Sequence, residues 1–134
     1  MLLLPKRSKY KKVKKGKLKK FEFKSNNLKF GTIGLKSIES GIISARQIEA
    51  ARQAIVRKTN RKGKLWIRIF PNLPITNKPK EVRMGKGKGS VSFWASRISG
   101  GKMLFEMCGI SNKIAILAFR TGGAKLPVKT QIIF

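Results

Sequence analysis

The chain contains no histidine and no aspartate, and its five acidic residues are all glutamates: Glu22, Glu39, Glu49, Glu81 and Glu106. Without His or Asp the usual zinc sites, general bases and Ser-His-Asp triads cannot be assembled. No metal site, cofactor, small-molecule substrate or enzymatic activity is therefore expected. Cys108 is the only cysteine, so an intramolecular disulfide and a secreted disulfide scaffold are excluded. No apolar run approaches the ~18–20 residues that cross a bilayer, so membrane insertion is not expected. Met1-Leu2-Leu3-Leu4 is too short for the apolar core of a signal peptide, and the Lys-rich start lacks the Arg- and Ser-rich amphipathic character of a transit segment.

What is present is positive charge. The 134 residues carry 32 Lys and Arg against 5 acids, a formal net charge of +27. A compact body so charged repels itself unless a polyanion neutralises it. Nucleic acid leads as the partner, with an anionic membrane surface second and an acidic protein third. Hydrophobic residues make up 41 % of the chain, enough for one modest core, so the chain is not simply a disordered polycation. Its length fits a single domain.

Residues 1–30 hold twelve Lys and Arg against one Glu. They show no period that would bury a face and read as an extended arm, residues 1–27, that orders only against its ligand. Lys6, Arg7, Lys9, Lys11, Lys12, Lys14, Lys15 and Lys17 are its candidate phosphate contacts. An α+β domain over 28–134 follows. Lys29 to Leu35 alternates weakly as a strand, and Gly41 breaks the chain. Ser44 to about Asn60 predicts a helix, opened by a Ser44/Gln47 capping box with Ile48, Ala51 and Ile55 on one stripe. Its alanines would let it lie close to a sheet. Arg46, Arg52 and Arg57 are candidate phosphate contacts or an ordinary solvated face. Lys58, Arg61 and Lys62 suit the helix end.

Lys64 to Phe70 alternates as a strand, with Trp66 expected in the core rather than against a base. Pro71, Pro74 and Pro79 forbid a central strand or helix next. Val91 to Ser99 and Lys102 to Met107 read as strands joined by a Gly100-Gly101 hairpin turn. Ser111 caps a second helix with Ile114, Leu117, Ala118 and Thr121 on its stripe, ended by Gly122-Gly123. Pro127 to Ile133 forms a last strand. The order predicts an α+β fold, mostly antiparallel, with two helices and one helix-covered sheet system.

The most informative segment is the loop at 83–90. Arg83-Met84-Gly85-Lys86-Gly87-Lys88-Gly89 sets three glycines among cations. Such glycines are entropically expensive and bury nothing. They do let the backbone approach a phosphate and offer amide donors. Lys86 and Lys88 add point charges, and Arg83 a planar fork. The spacing matches neither a Walker A loop nor a dinucleotide fingerprint.

This loop, with Pro5-Lys6-Arg7-Ser8-Lys9-Tyr10, Ala45-Arg46-Gln47-Ile48-Glu49-Ala50-Ala51-Arg52, Lys64-Leu65-Trp66-Ile67-Arg68-Ile69-Phe70-Pro71 and Phe105-Glu106-Met107 in order, resembles the bacterial and organellar large-subunit ribosomal protein sixteen family. The resemblance runs from about Leu3 to about Thr130. It implies a structural, non-catalytic component of the large ribosomal subunit with a hammerhead-like strand arrangement. It further implies binding to large-subunit rRNA, contact with neighbouring ribosomal proteins, and a place beside tRNA in the aminoacyl site. The arm would then bind rRNA, and the loop would point toward the functional centre. Two departures are Cys108, where relatives often have Asp or Ser, and Gly122-Gly123, which should shorten the second helix. A general DNA-compacting protein is the alternative. Lys outnumbers Arg 23 to 9. That usage suits an AT-rich genome such as an organelle's, and the absence of a leader before the resemblance suggests synthesis inside an organelle or a bacterial source. Ser99-Gly100-Gly101-Lys102 followed by Phe105-Glu106-Met107 is more similar to mitochondrial members of the family. A mitochondrial ribosome is therefore expected, with a plastid or the bacterial cytoplasm as alternatives.

Overall fold

The structure is a computed structural model describing residues 3–16, 18 and 20–134. Seven strands and two helices follow in the order β1 Ile33–Ser37, β2 Gly41–Ser44, α1 Ala45–Lys58, β3 Lys64–Ile67, β4 Leu73–Asn77, β5 Ser90–Ile98, β6 Met103–Cys108, α2 Asn112–Gly123 and β7 Thr130–Ile133. Four strands form one sheet in the order β3-β6-β1-β7, and three form a second in the order β2-β5-β4. Every pairing is antiparallel. The expected α+β class with two helices is present, with the strands divided between two sheets.

The main core lies between the larger sheet and the helix pair. It joins Ile33 and Leu35 of β1, Phe105 and Met107 of β6, Ile48, Ala51 and Ile55 of α1, and Ala118 and Phe119 of α2. Helix α1 starts as its sequence dictates. The Ser44 hydroxyl accepts the Gln47 amide, and the Gln47 side chain accepts the Ser44 amide at 2.8 Å. It ends before Gly63, at Thr59, because Asn60 and Arg61 turn left-handed with φ of 51° and 60°.

Several expectations are corrected. Gly41 does not simply break the chain; it starts β2, whose partner β5 supplies the backbone hydrogen bonds. Gly100-Gly101 is not a hairpin turn, because β5 and β6 belong to different sheets. The pair makes a corner between them, where the Gly101 amide donates to the Ser37 carbonyl at 2.7 Å. The exclusion of a central strand at the prolines holds: Pro74 lies within β4, which is an edge of its sheet.

The small residues of α1 admit α2 more than a sheet. A Cβ on Gly122 would meet Ile55 Cγ1 at 2.5 Å and the Ala51 carbonyl at 3.4 Å. This approach sets the rotation of α2. Ala115, Ala118, Phe119 and Gly122 are buried, whereas Ile114 and Leu117 of the anticipated stripe are 45 % and 49 % exposed. The helix ends at Gly123, as the Gly122-Gly123 pair predicts, with both glycines inside its last turn. Trp66 stands outside the core, half-buried on the outer face of β3.

Candidate nucleic-acid interface

Lys78-Pro79 ends β4, and the chain crosses residues 78–89 as an exposed loop before β5. The Lys78 ammonium donates to the Gly85 carbonyl and ties the loop to its base. Gly85, Lys86 and Gly87 follow one another at φ of 90°, 51° and 83°. A Cβ on Gly85 or Gly87 would touch nothing within 4 Å. The glycines therefore answer to backbone conformation, not to packing inside this chain. Arg83, Lys86 and Lys88 are exposed, and Met84 is 98 % exposed.

The basic segment has neither helix nor strand among its described residues, yet it lies against the body. Leu3 packs on the main core. Val13 packs on a small second core of Leu73, Ile75 and Ala95, at the root of the loop. On either side of that anchor, the Lys12 ammonium donates to the Lys88 carbonyl at 2.6 Å, and the Lys88 ammonium donates to the Val13 carbonyl at 2.7 Å. Arg97 of β5 donates to the Lys15 carbonyl at 3.0 Å. These anchors correct the expectation of a segment held by its ligand alone: Leu3, Val13 and three hydrogen bonds seat it on the body.

Lys6, Arg7, Lys9, Lys11, Lys12, Lys14 and Lys15 are all exposed. Lys17 lies outside the described residues. The arm and the loop thus come together, clasped by two reciprocal lysine–carbonyl bonds. No carboxylate takes part in the clasp, so its cations keep their charge for an external anion.

Of the three helix arginines, Arg46 stands apart from Arg52 and Arg57. Arg46, in the first turn of α1, lines a groove of about 220 Å³ with Ser92, Phe93 and Trp94. Arg52 is held by Glu49 through Nε–Oε2 at 2.9 Å and Nη2–Oε1 at 2.7 Å. This pairing holds the Glu49 carboxyl below its ordinary range, chiefly through the Arg52 hydrogen bonds, and raises Arg52. Arg57 lines a shallow groove of about 320 Å³ with Arg52, Gln53, Val56 and Arg61.

Sequence reasoning treated the end of α1 as dipole compensation. The structure exposes Arg57, Lys58, Arg61, Lys62 and Lys64 together around its left-handed corner, a cationic surface in its own right. The signal was five cations in eight residues. No group of three or more His, Cys, Asp or Glu side chains that could hold a metal occurs among the described residues. None of their helices is long and apolar enough to cross a membrane.

An exposed cationic surface on a small α+β body defines a protein that binds a polyanion. Comparison with known sequences names the family: the model described as ribosomal protein L16p/L10e matches residues 5–133. The chain belongs to this family, and it is a ribosomal protein with a structural role, not an enzyme. Large ribosomal subunit protein uL16 of Bartonella henselae is 52% identical over 132 residues, 98% of this chain and 96% of the relative. The proteins of the same name from Bartonella bacilliformis and Rhizobium rhizogenes show the same identity and coverage. These relatives are bacterial, which supports the bacterial alternative and gives the mitochondrial expectation no support.

Proposed function

We propose that the chain is a structural constituent of the large ribosomal subunit that binds large-subunit rRNA through its clasped arm and loop. Its partners are that rRNA, neighbouring ribosomal proteins and tRNA in the aminoacyl site. The observation carrying this reading is the scarcity of internal charge compensation. Ion pairs among the described residues engage only Arg52, Arg68 and Lys102, in a chain of formal charge +27. Phosphates are the neutralising charge that such a surface requires. The arm over residues 1–27 runs between rRNA helices, and the body over 28–134 reads RNA shape through backbone and 2′-hydroxyl contacts. The loop sets Arg83, Met84, Gly85, Lys86, Gly87, Lys88 and Gly89 beside rRNA near the tRNA. Arg46, Arg52 and Arg57 add peripheral phosphate contacts.

The test is a salt titration of binding to isolated large-subunit rRNA. With about six to ten phosphates engaged, affinity should fall roughly 10³–10⁵-fold from 50 to 200 mM salt. A flat titration, or a preference for duplex DNA over structured RNA, would overturn the assignment.

A further inference from the structure

The outer face of the four-stranded sheet carries an aromatic pair that neither the arm nor the loop uses. Leu65 and Ile67 of β3 pack on the core, so Trp66 between them faces outward. Phe30 stacks on it, with ring centroids 6.0 Å apart and planes at 24°. Cations flank both rings: Lys64 Nζ lies 5.2 Å from the Trp66 centroid, and Arg68 Cζ lies 5.0 Å from that of Phe30. Phe30 remains 57% exposed, in the bend that precedes β1, and Trp66 lies on the edge strand β3.

An exposed phenylalanine forgoes hydrophobic stabilisation, and here it is also fixed in place. Glu106, on β6 beside Trp66 in register, accepts the amides of Lys29, Phe30 and Gly31 at 3.1, 2.7 and 2.9 Å through one carboxylate oxygen. Its other oxygen takes Arg68. The backbone beneath Phe30 and the guanidinium beside its ring are thus both clamped. Pre-set rings give up little entropy on stacking. The carboxylate is fully buried and its charge is spent on Arg68 and three amides, so the charge left around the rings is that of Lys29 and Lys64. A π-face ringed by cations matches a nucleobase joined to its phosphates.

We propose that Phe30 and Trp66 form a stacking platform for an unpaired RNA base, with Lys29 and Lys64 meeting the adjoining phosphates. This rests on the reading above that the polyanion is RNA. The probe is a short single-stranded oligoribonucleotide carrying the fluorescent base aminopurine at its centre, compared with the same strand annealed into a duplex. The full chain should quench the single-stranded probe. Phe30→Ala and Trp66→Leu should each weaken binding to it about five- to 150-fold and abolish quenching, while duplex affinity changes less than about twofold.

Phe30→Ala retains the amides that Glu106 holds, so it reports on the platform even if Trp66→Leu fails to fold. Wild-type quenching and affinity in Phe30→Ala would overturn the platform, as would equal losses toward the duplex. Salt-sensitive binding of both probes without quenching would overturn the platform and leave the RNA reading standing. Failure of the wild-type chain to bind either probe would overturn both.

Discussion

The guanidinium of Arg68 is bonded to the carboxylate of Glu106, whose side chain is 0% exposed while that of Arg68 is 12% exposed. Burial alone would push the Glu106 carboxyl up. The amides of Phe30, Gly31 and Lys29, together with the Arg68 charge, more than offset that and hold it below its ordinary value of 4.5. One glutamate on a central strand therefore fastens both the chain entering the sheet and the cation beyond β3.

Removing this carboxylate should be severe. Glu106→Ala leaves Arg68 and three amides without their acceptor and should destabilise the fold by about 3–5 kcal/mol in urea unfolding. A loss below about 1 kcal/mol would show that the clamp carries little.

The same group sets an acid limb. A depressed folded-state value means that its stabilisation is complete above about pH 4.5 and is lost as pH falls through the lower folded value. Stability measured on the acid side should fall more steeply in the wild type than in Glu106→Gln, with Glu49 contributing in both. Identical slopes would contradict this.

Much of this fold was legible because local rules governed it. Ser44 and Gln47 announce the start of α1, and Ile48, Ala51 and Ile55 announce its buried stripe. The loop at 83–89 is visible as glycines set among cations, of which Gly85 and Gly87 have no neighbour to pack against. Non-local geometry hid the rest. Gly100-Gly101 serves a sheet-to-sheet corner as readily as a hairpin, and nothing within the two strands says which. The phase of α2 depends on Gly122 meeting Ile55, a contact between residues far apart in sequence. Glu106 reads as an ordinary strand acid until residues 29–31 fold over it. The arm's charge concealed Val13, whose partners lie on β4 and β5.

Gly122 offers a direct check on the helix pair. Alanine has the better helix propensity by about 1 kcal/mol, yet its Cβ would lie 2.5 Å from Ile55 Cγ1. Gly122→Ala should therefore lower stability, with overpacking of about 1–3 kcal/mol outweighing the propensity gain. A raised denaturation midpoint would contradict the close approach.

The capping box predicts a smaller loss. Ser44→Ala removes the acceptor of the Gln47 amide and should cost about 0.5–2 kcal/mol of stability. An unchanged midpoint would mean that the start of α1 is held by its packing alone.

The clasp couples arm to loop. Deleting residues 1–17 removes Lys12, the carbonyl of Val13 and the apolar anchor at the loop's root. Backbone order parameters at 85–89 should fall toward the flexible range, below about 0.6. Replacing Lys86 and Lys88 by Ala should disturb tRNA accommodation more than subunit assembly, whereas the deletion should impair assembly more. Unchanged loop order parameters in the truncated chain, or equal assembly defects from both variants, would contradict this division.

The central claim is that folded ribosomal RNA supplies the negative charge this chain lacks. It is tested most directly by fractionating cell extracts on a density gradient at rising salt and following the chain. The account expects it with intact large subunits at low salt and released only at high salt. Finding it free at the top of the gradient at low salt, with large subunits intact below, would contradict it.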